Sequence, residues 1–526
     1  MQRFMDIIHV YSMRLQFCRG KWCDMNTELV VFIIYLLFML GIGVYFFMKS
    51  RGSGEKEYFL GGRKMGPWVS ALSAGASDMS AWVLMGLPAS IYLAGIGKAW
   101  IAIGLAIGYA LAWIFEAPRL RRFSIAANDS ITLPQYLTNR FKSSSKVLQI
   151  LCAVIFLVAY TIYAASSVLA CGKLFNQVIG IDQTLAMYIA AAIIIGYTFM
   201  GGFSAVCWTD FFQGLLMLGA LLIAPIFALG LISGGQGAMT MESLNASNPN
   251  YWNLFPDWKT VASGLGWGLG YFGMPHIIIR FMSVRSDKDL RKSAKIGISW
   301  NILIILFSVA AGCIAHLYLG EVSDSQTVFI QMVRQIFPAL ISGILLSAIL
   351  AASMSTADSQ LLCASSAFAS DVYKPVIRKN KTSEKEMFWA GRIVVLVIAV
   401  IAVLIASNPS SGSIMDLVEN AWGIFGAAFG PAILLSLFWK RFTFWGAVSG
   451  IAAGAGVDIA WLIIHNYKSS LLAPLNMSYT GIFSLYEIIP GFIAGLVVAV
   501  IVTLIDKKPK QEVQDLYDLA VSDQID

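Results

Sequence analysis

Charge is scarce in this 526-residue chain: Asp, Glu, Lys and Arg make up 13% of it, about half the share of an ordinary soluble domain. That deficit, beside 58% hydrophobic residues, excludes a water-soluble globule. Histidine is scarcer still. His9, His276, His316 and His465 lie far apart with no HExxH or HxxH pair, which argues against a metal-dependent enzyme. The seven cysteines show no CxxC spacing, and Cys152, Cys171, Cys207, Cys313 and Cys363 sit within or beside apolar runs, so neither a disulfide framework nor a thiolate metal site is indicated. No G-x-x-x-x-G-K-[ST] phosphate loop is present, so nothing points to ATP as an energy source.

What the chain has instead is long apolar runs, each able to cross a bilayer, over nearly its whole length. Thirteen are expected: 28–48, 67–94, 97–117, 146–176, 184–203, 209–233, 259–282, 293–319, 338–369, 388–407, 413–438, 442–465 and 485–505. Lys and Arg alternate between the connecting loops. With the N-terminus outside, the inside regions carry 28 of the 37 and the outside regions 8, leaving Lys173 within a span. Arg280, Arg285, Lys288, Arg291, Lys292 and Lys295 gather on one side, whereas 234–258 has none. The positive-inside rule therefore sets the N-terminus outside and the C-terminus in the cytoplasm. Residues 1–24 read as an extension upstream of a natural start at Met25, or equally as a tail of their own. The stretch 25–505 reads as one transmembrane domain and 506–526 as a cytoplasmic tail that includes a short helix.

Two spans are interrupted. From Trp68 to Ala94 the one charge is Asp78, within S-A-G-A-S-D-M-S-A-W (73–82). A charge at the bilayer centre costs at least about 2.5–3.5 kcal/mol, so it points to function. The seventh span reads S-G-L-G-W-G-L-G-Y-F-G-M-P-H (263–276); with five glycines and a proline it is not expected to form a continuous helix. Backbone freed by such breaks is tolerated only inside protein or along a cavity. The second and seventh spans open successive five-span units, about 67–233 and 259–438. Five being odd, the units enter the membrane from opposite faces, and paired breaks in inverted halves mark the central site of a secondary transporter. Glycines that only permit close helix packing are the plainer alternative.

A third polar stretch, A-I-L-A-A-S-M-S-T-A-D-S-Q (348–360), sets Ala352, Ser355, Thr356 and Ser359 on one helical face. Two hydroxyls one residue apart suit a small hard cation, with carbonyls near Ala76–Met79 completing the set; back-bonding to the preceding turn is the ordinary use of such hydroxyls.

These three stretches, with L-G-G-R (60–63), T-L-P-Q-Y (132–136), G-G-F-S-A-V-C-W-T-D (201–210) and Y-E-I-I-P-G-F (486–492), resemble the sodium/solute symporter family, and within it the proline-transporting branch, from about residue 27 to 505. The resemblance implies an all-α polytopic membrane protein of thirteen transmembrane helices with the LeuT-type inverted repeat of 5+5 helices, one extra helix before and two after. It implies sodium as coupling ion, held by the carbonyls of Ala76, Met79 and Ala352 and the hydroxyls of Ser355 and Thr356, with Asp78 nearby. It implies L-proline as substrate in a cage of Trp82, Tyr163, Trp267, Tyr271 and Pro275, and gating or coupling roles for Arg63 and Asp210. Proline suits such a cage on chemical grounds: an ammonium over aromatic faces and a carboxylate at a half-helix N-terminus.

Asp358 stands out. It would add a further ion or proton site, or cap its turn towards cytoplasmic water, and the second is the expectation. Other amino acids, pantothenate, sugars or sialic acid remain alternative substrates, and a receptor of the same fold that binds without transporting is an alternative function. An intramembrane enzyme is disfavoured, because Asp78, Lys173, Asp458 and Glu116 form no nucleophile–base or metal set.

Overall fold

The computed structural model describes residues 21–49, 55–198, 202–379, 381–471 and 482–522. Most of the 1–24 segment lies outside them; Lys21–Asp24 already belong to the first helix, α1 (Lys21–Lys49). Ten helices among the described residues are long and apolar enough to cross a membrane. The remaining three expected spans fall on the 16-residue helix Gln183–Thr198 and on the two interrupted stretches.

The first unit runs α2 (Pro67–Asp78), α3 (Leu87–Ala94), α4 (Ala99–Leu111) continuing into α5 (Ala117–Ala126), α6 (Val147–Ile179), α7 (Gln183–Thr198) and α8 (Phe203–Ser233). The second runs α9 (Trp258–Gly266), α10 (Pro275–Ser283), α11 (Asp287–Leu319), α12 (Ala339–Phe368), α13 (Glu384–Ala406) and α14 (Ile414–Phe438). Two more helices follow, α15 (Phe444–Leu471) and α16 (Ile488–Ile505), then a short α17 (Gln511–Val521). Helix α8 begins at Phe203, so the gap left between the expected spans 184–203 and 209–233 is helical.

The packing repeats between the units. In the first, α8 lies along α12; in the second, its counterpart α14 lies along α6, the counterpart of α12. The same exchange of partners is what two inverted copies of one unit produce. Both broken spans are thereby enclosed: α2 is flanked by α8, α11 and α10, and the α9–α10 break by α14 and α4. The α4 face against the second break is stripped of side chains. A Cβ on Gly108 would collide with the backbone of Gly268, and one on Gly268 with the Gly104 carbonyl, which is the physical reason for glycine on both sides of that contact.

On the side expected to be cytoplasmic, α17 docks rather than hanging free. Arg140 Nη1 donates to the Val513 carbonyl (3.3 Å), its guanidinium lies over the Tyr517 ring, and Lys440 pairs with Asp518 at 2.6 Å.

Candidate transport site

Helix α2 ends because Met79 leaves the helical region (φ −77°, ψ 73°), closing the last turn with its N–H on the Gly75 carbonyl at 2.9 Å. The chain resumes as a wide π-type turn, Trp82–Gly86, before α3; such turns recur at functional sites. The second break is built differently. A 3-10 stretch, Trp267–Phe272, follows α9, and Pro275 opens α10 at a position where a missing N–H costs nothing. Pro275 therefore shapes the break, while the aromatic residues line it.

The expected cation ligands converge. Ser355 Oγ on α12 donates to the Ala76 carbonyl at 2.8 Å and lies 3.2 Å from the Ala352 carbonyl; Thr356 Oγ1 is 3.5 Å from the Ala76 carbonyl. All are fully buried. Met79 occupies the break itself, its ψ turning its carbonyl out of the helical line. The cluster is made of oxygen donors alone, suited to a hard cation and to no thiolate- or imidazole-seeking metal.

The carboxylate of Asp78 points elsewhere. Its Oδ2 accepts from the Tyr271 hydroxyl at 2.5 Å, and its Oδ1 has no partner among the described residues. The Asp78 carbonyl takes Trp82 Nε1 (3.2 Å) and the Tyr163 hydroxyl (3.3 Å). One residue thus links α2, α6 and the second break, and gathers three of the five expected cage residues, Trp82, Tyr163 and Tyr271. Trp82 and Trp267 have ring centres 6.4 Å apart.

Two further aromatic walls were not singled out from sequence. Trp422 on α14 donates its indole N–H to the Trp267 carbonyl (2.8 Å) and meets Tyr271 edge-on at 5.1 Å; Tyr486 lies 5.1 Å from Trp267. The one signal available for Tyr486 was its place in Y-E-I-I-P-G-F; Trp422 carried none.

Below the cation cluster, one helical turn along α12, Ser359 accepts from Arg280 Nη2 at 2.6 Å. The same nitrogen pairs with Asp210 Oδ2 (3.1 Å), which also accepts from Ser73 Oγ (2.7 Å). Arg280 is 1% exposed, so it leaves the cytoplasmic basic cluster to which its position in sequence assigned it. Asp358 corrects a second expectation: it is fully buried inside α12, with Ser359 as its hydrogen-bond partner and Oδ2 unpartnered among the described residues, and it does not face water. The i+2 step from Thr356 placed it beside the cluster, and the packing of α8 and α10 on α12 closes off solvent.

Arg63 and Asp210 belong to separate networks. Arg63, in a left-handed conformation (φ 56°), donates to Asp129 (2.8 Å), Ser124 (3.0 Å) and the carbonyls of Met282 (2.5 Å) and Ser130 (2.9 Å). It latches the loop before α2 onto the end of α5 and the C-terminus of α10. The Asp129 carboxyl is held below the usual range: burial acts in the opposite sense and is outweighed by hydrogen bonds from Lys56 and Arg63. On the opposite face a cavity of about 980 Å³, lined by Lys98, Asp257, Asp416, Glu419 and Glu487, descends to Trp267 and Tyr486.

With this geometry in hand, comparison with known proteins is specific. Residues 58–454 match the family model described as the sodium:solute symporter family. The osmoregulated proline transporter OpuE of Bacillus subtilis (strain 168) is 43% identical over 500 residues, 94% of this chain and 98% of the relative. The sodium/proline symporter of Haemophilus influenzae is also 43% identical, over 509 residues and the same shares of each chain. Among solved structures, a Na+-coupled sialic acid symporter in a substrate-bound outward-open state superposes with a TM-score of 0.74 over 92% of this chain and 99% of that one, at 21% identity, a likeness of fold.

Proposed function

This chain belongs to the sodium:solute symporter family, and from that premise we propose that it carries out sodium-coupled uptake of L-proline across the cytoplasmic membrane by alternating access. The observation that carries the reading is the double use of one helix break. The carbonyl end of α2 meets the hydroxyls of Ser355 and Thr356 at Ala76, and two residues on, at Asp78, the same break anchors an aromatic cage. The 43% identity to proteins described as proline transporters supports the choice of substrate.

Sodium takes the carbonyls of Ala76, Met79 and Ala352 with the hydroxyls of Ser355 and Thr356. It joins the first unit's broken helix to α12 of the second unit, so filling the site favours one arrangement of the two units. The negative carbonyl end of α2 adds a favourable field for a cation. Proline sits between Trp82, Tyr163, Trp267 and Tyr271, its ring against aromatic faces and its ammonium within reach of the acceptor that Asp78 keeps unpaired. Its carboxylate lies towards the N-terminus of α10, where the positive end of the helix dipole favours an anion. Asp78 touches the cage through Tyr271, so ion and substrate act on a single break.

The lysine and arginine asymmetry supports an outside N-terminus and a cytoplasmic C-terminus. In that orientation the cavity above Trp267 is the outer vestibule, and the Arg63 latch with the Arg280–Asp210 pair forms the inner gate. A tenfold sodium gradient is worth about 1.4 kcal/mol and about 100 mV adds about 2.3 kcal/mol per charge, together enough for roughly 500-fold accumulation with one sodium.

Radiolabelled proline uptake into proteoliposomes, with an inward sodium gradient against matched potassium, tests the proposal. Sodium-driven accumulation above the external concentration, lost in Asp78→Asn, is expected. Saturable binding without accumulation would refute transport, and no proline signal would refute the substrate.

A further inference from the structure

Outside the transport site the described residues hold one pair of carboxylates that the mechanism above does not use. Asp458, midway along α15, is fully buried, and neither of its oxygens has a hydrogen-bond partner among the described residues. Glu487, at the start of α16, is 6% exposed, and its Oε1 is likewise unpartnered. Both converge on the bare backbone of Gly423 in α14. A Cβ there would lie 2.9 Å from Asp458 Oδ1 and 3.3 Å from Glu487 Cγ. No lysine or arginine pairs with either acid among the described residues.

Two unpartnered carboxylates crowded against one backbone position and out of water do not both stay ionised. The compensating positive charge is a metal ion or a proton. Two side chains on helical backbone supply too few oxygens to enclose a metal, and no group of three or more Asp, Glu, His or Cys among the described residues could hold one. One proton needs only the two carboxylates. Glu487 also lines the 980 Å³ cavity, so the pair has a path to solution. The groups around it are Glu419 and Asp416 on α14, His465 on α15, Tyr486 beside Glu487, and Lys98, Asp257 and Lys259 at the rim. This lining is mostly acidic and raises the local concentration of cations.

We propose that Asp458 and Glu487 form a proton-binding dyad at the floor of the outer vestibule, and that its proton holds Tyr486 against Trp267 of the cage. The link is covalent and short. Glu487 adjoins Tyr486, whose hydroxyl donates to the Glu419 carbonyl at 2.9 Å and whose ring packs on Trp267 at 5.1 Å. Losing the proton sets two negative charges against each other, forces α15 and α16 apart at their outer ends, and withdraws one wall of the cage.

The test is proline uptake into proteoliposomes at fixed internal pH and varied external pH. The wild type is compared with Asp458→Asn and Glu487→Gln, in which an amide N–H replaces the shared proton. In the wild type the KM for proline should rise with external pH, by up to about tenfold per pH unit, the limit for one proton. In both variants it should stay at the acid-end value throughout. A wild-type profile retained in the variants, or a loss equal at every pH, overturns the proposal. So does a dyad that takes sodium instead, seen as one bound sodium more in the wild type than in Asp458→Asn. The uptake readout rests on the proline reading; infrared spectroscopy of the lipid-reconstituted protein does not. A protonated-carboxyl C=O band present in the wild type and missing from the D458N/E487Q double variant supports the dyad whatever the substrate, and an unchanged band refutes it.

Discussion

Replacing Tyr271 with phenylalanine isolates the contact that joins the two breaks. The ring keeps its packing, 5.1 Å from both Tyr109 and Trp422. The change removes one oxygen, the donor to Asp78 Oδ2 at 2.5 Å, and leaves both oxygens of that buried carboxylate without a partner among the described residues. Asn301 Nδ2, 3.5 Å from the same hydroxyl, loses its acceptor as well. A hydrogen bond to a charged group is worth about 1.5–3 kcal/mol, so kcat/KM for sodium-driven proline uptake should fall roughly 10- to 150-fold. The assay is initial uptake in proteoliposomes with matched protein content, accompanied by a double-mutant cycle with Asp78→Asn read on the Kd for proline in sodium. If Tyr271 acts through Asp78, the double variant is no worse than Asp78→Asn alone, because the interaction is already gone. A Tyr271→Phe variant within twofold of the wild type, or a double variant losing the product of the two single effects, would refute this account of the break.

Removing Arg280 as Arg280→Gln leaves Asp210 as an uncompensated buried charge, which should destabilise the protein by about 3–5 kcal/mol. Thermal unfolding in detergent should show the loss, and Asp210→Asn in the same chain should recover most of it. Gly270→Ala places a methyl group on the indole nitrogen of Trp422; proline binding should weaken at least about tenfold, as expected for a displaced cage wall, while sodium binding measured alone stays near wild type. Asp129 is depressed in the folded state, so its contribution to the Arg63 latch is fully present above the ordinary carboxylate value and is lost as pH falls through the lower folded value. Hydrogen exchange at residues 61–66 should therefore accelerate on the acid side of that value in the wild type, whereas Asp129→Asn should show fast, pH-independent opening once intrinsic exchange is corrected for.

Much of the fold was written in local chemistry. A run of apolar residues long enough to cross lipid must form a helix, because unpaired backbone is too costly there. Glycine-, serine- and proline-rich interruptions must break it. The two breaks and the hydroxyl face of α12 were therefore visible one segment at a time; the family resemblance implied that Ala76 meets that face, and the structure brings it to Ser355 and Thr356. What no segment carries is the identity of its partner. Arg280 looked like one of a row of cytoplasmic charges until the packing of α10 against α8 and α12 gave it Asp210 and Ser359. Asp358 has the same helical period as a water-facing cap, and three packed helices decide otherwise. Trp422, Tyr486 and the Asp458–Glu487 pair come from α14, α15 and α16, which meet the cage only in three dimensions. Hydropathy and helical period record which side of a helix is apolar or polar; burial and pairing are set by distances between residues tens to hundreds of positions apart, and only the tertiary structure specifies those.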